Sequence, residues 1–168
     1  MSLCDVLLPE FDQEMATTRR ALERVPDDKF SYKPHEKSMT MGRLAIHLGE
    51  IPAWTSETLY KDELDMAPVG GPAYVPPSFA TTKELLAFFD KNVAVGREAL
   101  AKTSDDIAKG TWSLLAGGQT LFTMPKMDVI RTWVLNHSVH HRGQLSVYLR
   151  LNEVPVPSIY GPSADEGM

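Results

Sequence analysis

Three of the chain's five histidines, His137, His140 and His141, fall within five residues of one another. On a helix, His137 and His141 are four apart and project from one face a turn from each other, the separation at which two imidazoles can grip a single metal ion. His140 is rotated by about 100° from His141 and is set aside. The pair lies on a stripe formed by Met127, Ile130, Val134, His137, His141, Gln144 or Leu145, and Tyr148, so both imidazoles are expected to face inward. His47 holds an equivalent inward position between Leu44 and Ile51 in an earlier amphipathic stretch. A lone inward histidine is ordinarily satisfied by a carbonyl or another polar partner. Three buried together without a ligand would be costly. Converging neutral imidazoles with coordination positions left over make an open site of the kind catalytic zinc and related ions use.

An all-imidazole donor set suits Zn, Ni, Cu or Fe and matches Mg or Ca poorly, and Zn or Ni is taken first. Glu50, one turn after His47, is a candidate catalytic base on a bound water or an acceptor for the His47 ring. Its plain alternative is an exposed carboxylate on the helix surface. Trp54 and Gln144, farther along the same stripes, are candidates to line a cofactor or substrate pocket, with core packing as the alternative. Two better-known metal motifs are excluded. Ser138 follows His137 where His-Glu-x-x-His would need glutamate, and His47-x-x-Glu50 reverses the Glu-x-x-His of di-iron bundles.

Four stretches of helical periodicity would position these residues. The first carries Leu7, Phe11, Met15, Thr18, Leu22 and Val25, with Pro9 expected in its first turn and Pro26 marking its exit. After an irregular crossing over 27–38, the second begins near Thr40, capped by Ser38 or Thr40, and is expected to bend at Pro52 one turn beyond His47. Residues 61–80 contain Gly70-Gly71-Pro72 and Pro76-Pro77 and read as a long connection. Thr81-Thr82-Lys83-Glu84 fits a capping box opening the third helix, whose inward stripe is Leu85, Phe88, Phe89, Asn92, Val95, Ala99 and Leu100. Trp112 to Leu115 and Thr120 to Phe122, split by Gly117-Gly118, could form a short hairpin. The fourth helix runs from about Pro125 to Leu151, with Asn152 as a left-handed cap. The tail over 152–168 is apolar at Val156, Ile159 and Tyr160 and is expected to pack on the helices. The fold class that follows is all-α, a four-helix bundle making one domain over 1–168.

Composition narrows the function classes. At 43% apolar and 23% charged residues the chain has the profile of a soluble globular protein, and a net charge of −5 gives no cationic field for nucleic acid or anionic lipid. A small-molecule substrate is the expectation, with neither nucleic acid nor membrane as partner. The single cysteine, Cys4, permits no internal disulfide and reads as a small apolar filler. The opening Met1-Ser-Leu-Cys-Asp has no cationic stretch, and no apolar run approaches the ~18 residues of a membrane span. A cytoplasmic location is expected.

The chain resembles the DinB-like superfamily of metal-binding four-helix proteins, which is distinct from the DNA polymerase of similar name. The resemblance rests on Leu7-Leu-Pro-Glu-Phe-Asp, Lys33-Pro-His-Glu-Lys-Ser-Met, Leu44-Ala-Ile-His47-Leu-Gly-Glu50-Ile-Pro-Ala-Trp54, Asn136-His137-Ser-Val-His140-His141-Arg-Gly-Gln144-Leu, and Tyr160-Gly-Pro-Ser-Ala-Asp-Glu. It implies an up-down-down-up bundle, frequently a homodimer, with His47, His137 and His141 as ligands of one divalent metal near a solvent-open pocket. It also implies a metal-dependent S-transferase that uses a low-molecular-weight thiol such as bacillithiol or mycothiol on small electrophiles. The alternatives are a noncatalytic metal- or small-molecule-binding stress protein and a metal-dependent hydrolase.

Overall fold

The computed structural model describes residues 3–72 and 74–167. Met1 and Ser2 of the opening stretch, Ala73 of the long connection and Met168 at the end of the tail lie outside the described residues. Helix α1 spans Leu3–Leu22. Leu7, Phe11, Met15, Thr18, Leu22 and Val25 are all buried, so the first stripe is the inward face. Pro9 lies inside α1 rather than in its first turn, because the helix starts at Leu3. A proline's fixed φ is compatible with helix, and here its ring is on the exposed face.

The crossing over 27–38 opens with a 3-10 turn at Asp27–Lys29 and is stitched to the next helix by the amides of Met41 and Gly42, which donate to the carbonyls of Tyr32 and Phe30. Helix α2, Met41–Glu50, is capped by Thr40, whose hydroxyl accepts from the Arg43 amide at 3.1 Å. At Pro52 the α-helical hydrogen bonding gives way to a 3-10 turn, Ile51–Ala53, before helix α3 resumes over Trp54–Tyr60. Helix α4, Thr82–Lys102, packs against that bend. Asn92 donates to the Gly49 carbonyl at 2.7 Å, and a Cβ on Gly96 would sit 2.3 Å from the Pro52 carbonyl oxygen. The close approach therefore needs glycine at 96. The capping box at Thr81 and Glu84 forms in full. The α4 stripe runs through buried Gly96 instead of Val95, which is 39% exposed.

The all-α expectation is corrected by a three-stranded sheet. Strands β1 (Glu63–Asp65), β2 (Thr111–Ala116) and β3 (Gln119–Pro125) lie in that order, β1 parallel to β2 and β2 antiparallel to β3. The hairpin turn is Gly117-Gly118 with φ of 61° and 77°, the paired positive angles that a two-residue turn needs. Asp65 locks β1 to this turn, its carboxylate accepting from the amides of Gly117 and Gly118 at 3.0 and 2.7 Å. A short helix α5, Asp105–Ala108, precedes β2. Strand β1 was missed because three residues carry no period, and their pairing is decided by β2.

The last rod is not one regular helix. Helix α6, Lys126–Val129, passes through a π-helical segment, Ile130–Asn136, into α7, His137–Leu151. Widened turns of this kind often occur at functional sites. Asn152 has φ −108°, so the left-handed residue after α7 is Glu153, at φ 57°. In the tail, Val154 and Val156 pack against the core that α1, α2, α4 and α7 share.

Candidate metal centre

Helices α2 and α7 pack together and bring His47 against His137 and His141. The Nε2 atom of His137 lies 3.1 Å from that of His47 and 2.8 Å from that of His141. The two outer imidazoles are fixed from behind. His47 Nδ1 is 3.2 Å from Glu50 Oε2, and His141 Nδ1 is 2.7 Å from Gln144 Oε1. Both oxygens are acceptors, so each Nδ1 carries the proton and each Nε2 turns a lone pair inward. If His137 carried its proton on Nε2 it could donate fully to one neighbour only, leaving the lone pair of the other without a donor. A cation resolves the conflict. Nitrogen ligands about 2.0–2.1 Å from one ion, at bond angles of 90–109°, stand roughly 2.9–3.4 Å apart, close to the observed spacings. The three histidines could hold one metal ion.

Protonation favours the same role. Burial, and then the neighbouring His141 and His47, push His137 down to about 4, and burial also lowers His141. His137 is therefore neutral at physiological pH, the form that ligates.

Glu50 is not an exposed surface carboxylate. It is 8% exposed, and besides His47 it meets Arg43 Nη1 at 3.1 Å and the Tyr74 hydroxyl. Burial alone would raise its carboxyl, but hydrogen bonds from His47 and Tyr74 and the Arg43 charge outweigh that and hold it below the usual range. Trp54 packs edge-on to His47 and His137, with ring centroids 5.5 and 5.6 Å away. It separates a cleft of ≈ 660 Å³, lined by Arg43, His47, Glu50 and Tyr74 among others, from a smaller apolar cavity. Gln144 borders a separate cleft beside His141 and Tyr148. His140 is exposed and stacks edge-on against His141 without joining the three. Cys4 is buried, as a filler would be.

Residues the sequence reading passed over also border the site. Arg43 stands one turn before His47, a spacing that could have marked it. Tyr74 comes from the irregular connection, where no period places a side chain. Trp133 comes from the π-helical segment, and its ring centroid is 5.9 Å from that of His137.

The DinB family model matches residues 1–167. The chain belongs to the DinB family. The uncharacterized protein YrdA of Bacillus subtilis (strain 168) is 24% identical over 166 residues, 96% of this chain and 90% of YrdA. A crystal structure of a DinB-like protein from Bacillus cereus ATCC 10987 superposes with a TM-score of 0.70 at 26% identity, covering 92% of this chain and 95% of that one. A second, the DinB-like protein YjoA of Bacillus subtilis, gives 0.68 at 16% identity over 91% and 96% of the two chains. No helix among the described residues of this DinB-family chain is long and apolar enough to cross a membrane.

Proposed function

We propose that this DinB-family protein binds one divalent transition metal, Zn or Ni before Fe or Cu, through His47, His137 and His141, and uses it to transfer a small thiol to an electrophile. The observation that carries the reading is the convergence of three Nε2 atoms, with the Nδ1 of the two outer rings, His47 and His141, already held by Glu50 and Gln144. The up-down-down-up four-helix order belongs to the same reading, supported by the packing of α1 and α2 each on α4 and α7. So does a homodimer acting on a small molecule, with the net charge of −5 arguing against a nucleic-acid partner.

A metal there supplies Lewis acidity that lowers the pKa of a thiol cosubstrate. The chain's own residues do the rest. Glu50 and Gln144 hold the ligand rings in one tautomer, Trp54 closes the apolar side, and Arg43 gives the large cleft a cation beside Glu50. Hydrolysis is favoured less, because both Glu50 oxygens are engaged, Oε2 by Arg43 and His47 and Oε1 by Tyr74, which makes it a positioning residue rather than a free base.

The test is elemental analysis of untagged protein from metal-replete cells, beside His137→Ala and His141→Ala. About one metal per chain in the wild type and little in either variant is expected. A metal-free wild type refutes the reading. Monochlorobimane with bacillithiol, mycothiol or glutathione then tests transfer, the sulfur–carbon bond forming as chloride leaves and the thiol proton passes to buffer. No metal-dependent turnover with any of these thiols leaves the noncatalytic binding protein as the better account.

A further inference from the structure

The cleft of ≈ 660 Å³ that contains His47 has walls of two kinds. Most of it is apolar, formed by Trp54 with Leu64, Met66, Pro68, Pro72 and Val75, and Leu64, Met66 and Val75 are all exposed to solvent. A cleft of this size, mostly apolar with a few polar groups, is the usual form of a small-molecule site. The rest of the wall is polar. Arg43 and His47 stand in it one turn apart on the same face of α2.

These polar groups differ in what they have left to offer. Glu50 accepts from Arg43 and His47 on one oxygen and from Tyr74 on the other, while Asp65 accepts from the amides of Ala67, Gly117 and Gly118. Both acids are engaged within the chain. Arg43 has more to give: among the described residues only its Nη1 makes a hydrogen bond, to Glu50 at 3.1 Å, and its side chain is 30% exposed. The Nε and Nη2 donors that remain form the planar edge that grips a carboxylate bidentately.

We propose that this cleft binds a small carboxylic acid with an apolar body, its carboxylate on the free edge of Arg43 and its body against Trp54, Leu64 and Met66. In the transfer proposed above, on which this part of the inference rests, that molecule is the electrophile. The thiol cosubstrates are polar along most of their length and would leave groups unpaired against the apolar wall. A carboxylate held by Arg43 sets the rest of the molecule within about one helical turn, ~5 Å, of its anchor, which is where His47 stands. Occupation of the cleft by an acid does not depend on the metal; the role as electrophile does.

The probes are 4-fluorophenylacetate and its neutral counterpart 4-fluorophenylacetamide, followed by fluorine NMR at neutral pH and physiological salt. Each is titrated into metal-loaded and chelator-treated wild type and into chelator-treated Arg43→Met, Arg43→Lys, Met66→Glu and Val69→Glu, all checked for helical content by circular dichroism. In both wild-type forms the acid should bind saturably and about fivefold or more tighter than the amide. Arg43→Met should bring the two probes within about twofold of each other. Arg43→Lys, which keeps a cation for Glu50 but loses the fork, should retain only part of the preference. Met66→Glu puts a carboxylate in the apolar wall and should weaken the acid about tenfold, whereas the same charge at Val69, outside the cleft and fully in solvent, should change it by less than about twofold. In the monochlorobimane assay the acid should compete with the bimane and not with the thiol. No saturable binding of the acid, or equal binding of acid and amide by wild type, overturns the proposal. A preference that survives Arg43→Met overturns the assignment to Arg43, and so does one lost on removing the metal, because the acid would then sit on the metal. Competition with the thiol overturns the role as electrophile. A protein that holds no metal yet keeps the Arg43-dependent preference refutes the metal reading and leaves the acid site standing.

Discussion

His141 and Arg142 are neighbours on α7, both almost completely buried, and they belong to two polar clusters of opposite character. Arg142, 1% exposed, reaches α1 and the C-terminal tail. It donates to the Glu14 carbonyl at 3.2 Å and to Thr18 Oγ1 at 3.1 Å, pairs with the Glu14 carboxylate at 2.7 Å and meets the Tyr160 hydroxyl, which itself donates to Glu14 at 2.7 Å. Each of these contacts sets a donor against an acceptor. On the histidine side, three like atoms face one another, and a proton on the central Nε2 can complete only one of the two short contacts. Complementarity separates a structural polar cluster from a ligand site: the first is complete within the chain, and the second is completed from outside.

The largest expected contrast is in metal content. His137→Ala removes the imidazole central to both short Nε2 contacts, so metal retention should fall by at least about a hundredfold, a loss elsewhere reached by mutating outer-shell partners alone. The metal-free fold should lose little, because no complementary partner is stranded. Inductively coupled plasma analysis and denaturant unfolding of metal-free protein measure the two halves. Arg142→Met should do the reverse. It leaves Glu14 buried without its cation and should cost about 3–5 kcal/mol in unfolding free energy, while folded protein keeps its metal. If His137→Ala destabilised the metal-free protein as much as Arg142→Met, the contrast would be wrong.

How far each region could be read in the sequence follows from how local its causes are. The Thr81 cap, the Pro52 bend, the Gly117-Gly118 turn and the i, i+4 pair on α7 are set by residues within one or two turns of each other, and periodicity with turn chemistry finds them. His47 was reachable because its own stripe fixed its inward face. The burial of Glu50 was not, since it depends on Tyr74, 24 residues away in a stretch without period. The π-helical segment before His137 escaped for a related reason. Its apolar residues still fit a 3.6-residue stripe, and only contacts such as Trp133 on Phe122 mark the departure. The Arg142 cluster joins positions up to 146 residues apart, and no local pattern predicts it.

A smaller effect separates a ligand from the residue that orients it. Gln144→Leu removes the acceptor behind His141 Nδ1 but leaves all three imidazoles, so metal affinity should drop about 10- to 100-fold without abolishing binding. Competition with a chromophoric chelator reads this directly. Unchanged affinity would mean that the Gln144 contact does not fix the ring.

The smallest effect is a difference in acid sensitivity. His137 has a folded value of about 4 against 6.5 for the free side chain, so in metal-free protein the unfolded state takes up the proton first as pH falls. Stability from this site is fully present above about pH 6.5, declines through the interval down to about 4 and does not change further below it; His141, lowered in the same direction, adds to the loss. On the tail, the Arg150 hydrogen bond and then the Val156 amide hold Asp165 below its usual 3.8. Its contribution is present above that value and fades only as pH falls through the lower folded one. Thermal unfolding of chelator-treated protein between about pH 7 and 5 should therefore lose on the order of 3 °C in wild type. In His137→Ala most of that loss should disappear, whereas Asp165→Asn should leave the slope in this interval unchanged. A wild-type curve flat from pH 7 to 5 would show that the buried imidazoles impose no such proton penalty, and would remove the protonation half of the contrast between the two clusters.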